Sequence, residues 1–333
     1  MAAMPVITCE APSSEGLDRI GYLFGYPIAH SMSPLLHGTI FNEIGWNAKQ
    51  FLYSSTQIAD FMALTKDPKF FGNLSSVNQM KRIKKLTNPG SSVTMPHKVA
   101  ILPYLDELTD EGREVGACNT IFLRQEGSRR LLVGTNTDVI GIREAFYQNI
   151  ANPAESFEGR PGLVIGGGGA ARSAVYCLKK FMKCKEVYLI NRDKAEVDAV
   201  VAWCQDHGYG DGLVYVATAE QAEVLEPVGA IVACVPDFPP VTETEKEARK
   251  AFENFLARSH KGAILEMCYH PNTWTTIAEL SEKAGWNVIL GTEAMIYQGF
   301  AQSSLWTGKP ISELPIAKCQ EVVAEALKKS HRQ

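Results

Sequence analysis

Leu163-Val164-Ile165-Gly166-Gly167-Gly168-Gly169-Ala170-Ala171 is the stretch on which the fold turns. Three apolar residues, two of them β-branched, predict a short buried strand. Four glycines then predict a tight turn, and Ala170 to Lys180 a helix. The spacing fits G-x-G-x-x-A on Gly166, Gly168 and Ala171. Where Cβ atoms are missing, a backbone can turn sharply and approach a pyrophosphate, whose charge then rests on the helix N-terminus. Glycine runs also occur in ordinary turns, so the motif counts only with a strand before it and a helix after it. Both are present here. Gly166, Gly168, Gly169, Ala170 and Ala171 are therefore the candidate dinucleotide contacts.

Downstream, Glu186 to Ile190 reads as a second strand, Lys194 to Gln205 as a second helix, and Leu213 to Ala217, Ala230 to Cys234 and Ala263 to Met267 as further strands. Strands alternating with helices imply a parallel, doubly wound sheet of the α/β class. The end of the second strand is where an adenosine ribose would be read, and Asn191-Arg192-Asp193 stands there. Arg192 would meet a 2′-phosphate or stack on adenine. Asp193 would repel that phosphate and accept from a ribose hydroxyl, or else serve as a solvated turn residue. The balance leans to NAD and leaves NADP open.

Upstream, Ile20 to Gly25 and Lys49 to Ser54 read as strands. Pro34 to Ile44 reads as a helix, with Ser33 as its N-cap and Pro34 at its first position. Ser92 to Met95 is a strand end broken by Pro96, Lys98 to Leu108 has a helical pattern, and Thr120 to Leu123 with Arg130 to Gly134 reads as a hairpin. Turn residues at Asn152-Pro153 and Gly159-Arg160-Pro161-Gly162 place a boundary between Asp138 and Arg160. Asn73 to Pro89, with its basic run Lys81-Arg82-Ile83-Lys84-Lys85, has no clean period and reads as an exposed insertion loop.

Composition narrows the functional classes. The 333 residues suffice for two domains, 45 % are hydrophobic and 21 % charged, and the net charge is −4. A mildly acidic chain has no general attraction for nucleic acid or anionic membranes. No apolar run approaches a membrane span or a signal peptide, so the default compartment is the cytosol, that is, a cytoplasmic protein. The eight cysteines are scattered, without C-x-x-C pairs, and are expected to be reduced. His30, His37 and His97 lack the spacing of a metal triad, so no metal site is expected.

Several motifs occur together in a fixed order. Gly25-Tyr26-Pro27-Ile28-Ala29-His30-Ser31-Met32-Ser33-Pro34 resembles the S-x-S-P segment of the shikimate/quinate dehydrogenase family. Ser92-Val93-Thr94-Met95-Pro96-His97-Lys98 resembles its V-T-x-P-x-K motif, Gly116-Ala117-Cys118-Asn119-Thr120 its G-A-x-N-T, and Gly134-Thr135-Asn136-Thr137-Asp138 its G-x-N-T-D. The glycine loop and Asn191-Arg192 follow in family order, then Tyr269-His270-Pro271 and Ile296-Tyr297-Gln298-Gly299. The likeness runs from Gly21 to about Gly308. Its wording around Leu265 to Pro271 and Gly291 to Met295 is most similar to the stand-alone quinate dehydrogenases of fungi.

The resemblance implies an oxidoreductase that passes a hydride between a nicotinamide cofactor and a small-molecule ring acid, quinate or shikimate. It implies an N-terminal substrate domain over 18–138 (with an insertion at 73–89) and a Rossmann-like domain over 139–290. Residues 291–333 would return to the first domain as helices, and the site would lie in the cleft between the domains. By the same likeness, Ser31 and Ser33 would present hydroxyls to the substrate carboxylate, while Thr94, Asn119, Asp138 and Gln298 hydrogen-bond the ring hydroxyls. Tyr269 would border the carboxylate. Lys98 and Asp138 map onto the catalytic pair, with Lys98 moving the alcohol proton and Asp138 orienting it. An NADP-dependent shikimate dehydrogenase and a non-catalytic sensor of the quinate pathway are the competing functions. The chain is expected to be a monomer or homodimer.

Overall fold

The computed structural model describes residues 6–10, 12–65, 90–127, 129–270 and 272–330. The inserted stretch 73–89 and its basic run lie outside these residues. The chain divides into two compact units. The first comprises Met1–Arg113, Ala117–Thr137 and Gly299–Gln333, and the second Glu114–Gly116 with Asp138–Gln298.

In the first unit six strands form one mixed sheet. They are β1 (Arg19–Gly25), β2 (Ala48–Ser54), β3 (Gly90–Val93), β4 (Glu107–Leu108), β5 (Thr120–Glu126) and β6 (Arg129–Thr135), in the order β2-β1-β3-β5-β6-β4. β1 pairs in parallel with β2 and β3, so that Tyr22 stands beside both Phe51 and Ser91. β5 and β6 form the expected antiparallel hairpin. Ile20, Tyr22, Phe24, Tyr53, Phe61, Val93, Ile121 and Leu132 make its apolar core. The last segment is fastened to this sheet by Trp306, whose Nε1–H donates to the Ile121 carbonyl at 3.1 Å. Gly90 lies beneath that ring, and a Cβ there would come within 2.0 Å of the indole nitrogen.

Two local expectations fail in this unit. Lys98 to Leu108 is not one helix: a turn at Lys98 leads into a 3₁₀ turn, Leu102–Tyr104, and then into β4. Pro103 explains it, because an α-helix through that point would lose a hydrogen bond and drive the ring into the preceding turn. Ser33 does not cap the helix Ser33–Glu43 either. Met32 occupies that position and no side chain caps.

The second unit is built on six parallel strands: β7 (Gly162–Ile165), β8 (Val187–Ile190), β9 (Leu213–Tyr215), β10 (Ala230–Ala233), β11 (Ala263–Glu266) and β12 (Asn287–Leu290). Their order, β12-β11-β10-β7-β8-β9, is doubly wound and reverses direction between β7 and β10. All four residues of β7, β8, β10 and β11 are buried, as expected of a parallel sheet covered on both faces. Leu163, Tyr188, Ile231, Phe252, Phe255, Ile264 and Trp286 share its core. The strand-order reversal next to β7 puts the glycine loop where ligands of such sheets bind.

All eight cysteines are free thiols. Among the described residues no cluster of His, Cys, Asp and Glu is arranged to hold a metal ion, and no helix is long and apolar enough to cross a membrane.

Candidate functional site

The glycine loop leaves β7 through Gly166, whose φ of +125° admits glycine and little else. Its N–H still donates to the Ile190 carbonyl on β8 at 2.9 Å, so the turn is tied to the sheet. Gly167 is required by crowding: a Cβ there would stand 2.5 Å from the Glu196 Cβ and 2.6 Å from the Asn191 Nδ2. Gly168 precedes the helix Gly169–Tyr176 as its N-cap, and a Cβ on it would meet no described atom within 4 Å. Ala171 is fully buried beneath. The loop thus offers an open backbone face and a helix N-terminus at the sheet's reversal point. Gly168, Gly169 and Ala170 are the residues able to hold a pyrophosphate there.

Beside that loop, the three residues after β8 are already committed. The Asn191 Nδ2 donates to Glu196 Oε2 at 2.7 Å. Asp193 caps the helix Lys194–Asp206, its Oδ1 accepting from the Ala195 N–H at 2.9 Å. Arg192 is ion-paired with Glu245. Glu245 belongs to the capping box of the helix Glu243–Ala257, where its Oε2 accepts from the N–H groups of Val241 and Thr242, each at 2.9 Å. Those backbone donors, reinforced by Arg192, hold its carboxyl down near 2. Glu245 could not be found in the sequence by the ribose-reading rule, because it comes from a different crossover, more than fifty residues on.

In the first unit, Thr94 to Lys98 form the turn after β3. Thr94 N–H donates to the Phe24 carbonyl at 2.8 Å, and Tyr26 N–H to the Met95 carbonyl at 2.9 Å. Gly25 is needed for this approach, since a Cβ on it would lie 2.4 Å from the Thr94 Cγ2. His97 points inward. Its ring stacks on Phe24 with centroids 4.2 Å apart, and its Nε2–H donates to the Ser55 carbonyl at 2.9 Å. Burial lowers its pKa. His97 therefore anchors the turn, which presents Lys98 half-buried at its end, and the Lys98 carbonyl accepts from the Cys118 N–H at 2.7 Å.

A buried chain of hydrogen bonds runs through the same unit. Ser33 Oγ donates to Gln50 Oε1 (2.8 Å), Gln50 Nε2 to Ser92 Oγ (3.0 Å), and Ser92 Oγ to Gln302 Oε1 (3.0 Å). Gln302 Nε2 donates to Thr120 Oγ1 (2.9 Å) and Thr120 Oγ1 to Asn119 Oδ1 (2.7 Å). Asn119 Oδ1 also accepts from the Thr137 N–H at 2.7 Å. His37 joins at Gln302 Oε1 through Nε2 and at Ser303 Oγ through Nδ1. Burial brings its pKa down to about 4, so it is neutral. Ser31 Oγ accepts from the Ser33 N–H at 3.3 Å. The chain thus joins Ser33 and Asn119 through Gln50, Ser92 and Gln302, of which the motif stretches include only Ser92, without a role.

In the second unit, Asp138 opens the helix Asp138–Asn149 and is buried. One turn later Gly141 packs on the helix Gly291–Thr307, where a Cβ would lie 2.5 Å from the Ala294 carbonyl and 2.9 Å from the Gln298 Cβ. Asp138 and Gln298 therefore stand on adjoining turns of two closely packed helices. Tyr269 lies half-buried in the loop after β11. That loop begins on Glu266, a buried carboxyl with one oxygen accepting from the Cys268 N–H at 2.8 Å. Its other oxygen has no hydrogen-bond partner among the described residues. Burial raises its pKa to about 8.

Comparison with known proteins agrees with this architecture. Residues 23–121 match the family described as the shikimate dehydrogenase substrate binding domain. The chain is 44 % identical over 319 residues to the quinate dehydrogenase of Emericella nidulans, covering 93 % of this chain and 94 % of that one. The shikimate 5-dehydrogenase of Thermus thermophilus, solved with NADP(H) and shikimate, superposes with a TM-score of 0.66 at 25 % identity. That match covers 93 % of this chain and 99 % of the other. The quinate dehydrogenase of Corynebacterium glutamicum, solved with NAD, shares the fold at a TM-score of 0.70 and 18 % identity, covering 92 % and 98 %. The likeness to the Emericella protein extends over nearly the whole of both chains, and it makes this chain a member of the shikimate/quinate dehydrogenase family.

Proposed function

We propose that this chain is a quinate dehydrogenase, oxidising a ring secondary alcohol of quinate to the ketone of 3-dehydroquinate with NAD, and accepting shikimate as a second substrate. The observation that carries this reading is the near full-length 44 % identity to a protein named quinate dehydrogenase. Lys98 and Asp138 are both retained at their motif positions.

A nicotinamide dinucleotide, when bound, supplies the hydride acceptor. The chain's own residues do the rest. The glycine loop holds the pyrophosphate. Lys98 takes the alcohol proton as hydride leaves the carbon, and returns it in the reverse direction. Asp138 accepts from the reacting hydroxyl and fixes its orientation. Thr94, Asn119 and Gln298 line the ring hydroxyls, Ser31 meets the carboxylate, and Tyr269 borders it. NAD is favoured over NADP because Glu245 is ion-paired with Arg192, the side chain best suited to meet a 2′-phosphate, and adds a carboxylate beside it.

The test is direct. Initial rates of nicotinamide reduction are followed by absorbance with quinate or shikimate, each paired with NAD or NADP. The quinate–NAD pair is expected to have the highest kcat/KM. A higher value for shikimate with NADP would replace this reading with a shikimate dehydrogenase. Four blanks, with thermal stabilisation by the ring acid, would replace it with a non-catalytic sensor.

A further inference from the structure

The chain of hydrogen bonds that ends on Ser33 has a direction, and two backbone groups fix it. The Asn119 carbonyl accepts only, so the group of Gln302 facing it at 3.3 Å is the amide nitrogen. The oxygen of Gln302 then faces Ser92 Oγ at 3.0 Å and must receive that hydroxyl's single proton. Ser92 Oγ is left to accept, so the group of Gln50 reaching it at 3.0 Å is again the amide nitrogen. The oxygen of Gln50 therefore faces Ser33 at 2.8 Å, and Ser33 donates its proton there. At the far end, the Thr137 N–H fixes Asn119 Oδ1 as an acceptor, and Thr120 bonds it in the same sense. Gln50 is 1 % exposed and Ser33 5 %, so solvent does not reshuffle the pattern.

With its one proton spent on Gln50, Ser33 Oγ turns only lone pairs toward a ligand. A carboxylate also offers only lone pairs, and two acceptors facing each other repel. An alcohol can donate. Ser31 differs, because its Oγ accepts from the Ser33 N–H and keeps its own proton to give. Side by side stand one donor hydroxyl and one acceptor hydroxyl. Quinate carries a carboxylate and a hydroxyl on the same ring carbon, whereas shikimate has a double bond at that carbon and no hydroxyl. We infer that Gln50 is a positioning residue that polarises Ser33 as an acceptor, and that the Ser31–Ser33 pair thereby selects ring acids bearing a hydroxyl on the carboxylate-bearing carbon. This inference rests on the proposed quinate dehydrogenase activity.

The experiment compares kcat/KM for quinate and for shikimate in wild type, Gln50→Met and Gln50→Glu. Methionine has a similar shape and no acceptor, so it releases the Ser33 proton to face the substrate. At this buried position glutamate is held as the neutral acid, its carbonyl oxygen accepting from Ser33 and its hydroxyl donating to Ser92. The quinate-to-shikimate ratio is expected to fall at least roughly tenfold in Gln50→Met, through KM rather than kcat, and to stay within about threefold of wild type in Gln50→Glu. NAD affinity should not change. A purely structural role would lower both substrates by one common factor, and that result overturns the inference while leaving the activity intact. No turnover of either acid by wild type overturns the activity, and the inference falls with it. Should Gln50→Met not fold, Ser33→Ala decides: a loss confined to quinate supports the inference, and an equal loss for both acids overturns it.

Discussion

His97 precedes Lys98 in the chain and fixes the turn that carries it, by stacking on Phe24 and donating to the Ser55 carbonyl. The turn held in this way fixes the backbone from which the Lys98 side chain extends. Lys98→Ala is expected to lower kcat by at least roughly 100-fold, with the dissociation constant for NAD within about twofold. Steady-state rates and a fluorescence titration of NAD measure the two. Wild-type turnover in this variant would remove Lys98 from the acid–base role. At this scale the sequence is legible where chemistry is local. Lys98, Asp138 and the glycines stand in short motifs whose residue types suggest the use proposed for them. Gln50 and Gln302 do not, because their work depends on partners 17 to 265 positions away: Ser33 and Ser92 for Gln50, and Ser92, Thr120 and His37 for Gln302. Nothing in Lys49-Gln50-Phe51 distinguishes a buried relay from a polar residue on a strand's wet face.

The strands of the second unit are legible as short apolar runs, and Gly166 as the turn after the first of them, since few other arrangements satisfy a buried parallel strand. The helix Glu243–Ala257 is harder to see, although it begins with Thr242 and Glu245, a capping-box signature, and buries Ala251, Phe252, Phe255 and Leu256 on one stripe. Its heavily charged first half hides that stripe. The opposite holds at Lys98 to Leu108, where a helical pattern outweighs Pro103 on the page but not in the fold. Under the proposed function the hidden helix bears on cofactor choice, because its first turn carries the Glu245 that engages Arg192. Glutamine serves a capping box as well as glutamate does. Glu245→Gln should therefore leave the helix in place while releasing Arg192 from an opposing charge. The ratio of kcat/KM for NADP to that for NAD is expected to rise roughly tenfold or more, about the worth of one charge-assisted hydrogen bond. An unchanged ratio with both cofactors would show that Arg192 lies beyond reach of the ribose.

Taken as a whole, the molecule carries two buried titratable groups whose effects on stability run in opposite directions with pH, one in each unit. His37, in the first, binds a proton near 6.5 when unfolded and only near 4 when folded. Between those values the unfolded chain holds more protons, so the first unit loses stability as the pH falls from 6.5 toward 4. Glu266, in the second, titrates at 4.5 unfolded and about 8 folded. There the folded state holds the extra proton, and the second unit loses stability as the pH rises from 4.5 to 8, by at most roughly 4–5 kcal/mol. Calorimetry across pH 4 to 8.5 should show Glu266→Gln flattening the decline on the alkaline side and leaving the acid side unchanged. A parallel decline in wild type and variant would show that Glu266 is ionised in the folded protein.

The first unit is assembled from three separate pieces of chain, the last beginning only at Gly299, whereas the second is almost entirely one uninterrupted run, Asp138–Gln298. On a ribosome, which releases the chain from its N-terminus, the second unit has nearly all it needs while the segment bearing Gln302 and Trp306 is still being made. The half that begins first is thus finished last. Until then its sheet lacks the indole that covers Gly90 and the amide that orders Ser92 and Thr120. During synthesis, that sheet stands uncovered until its final segment emerges.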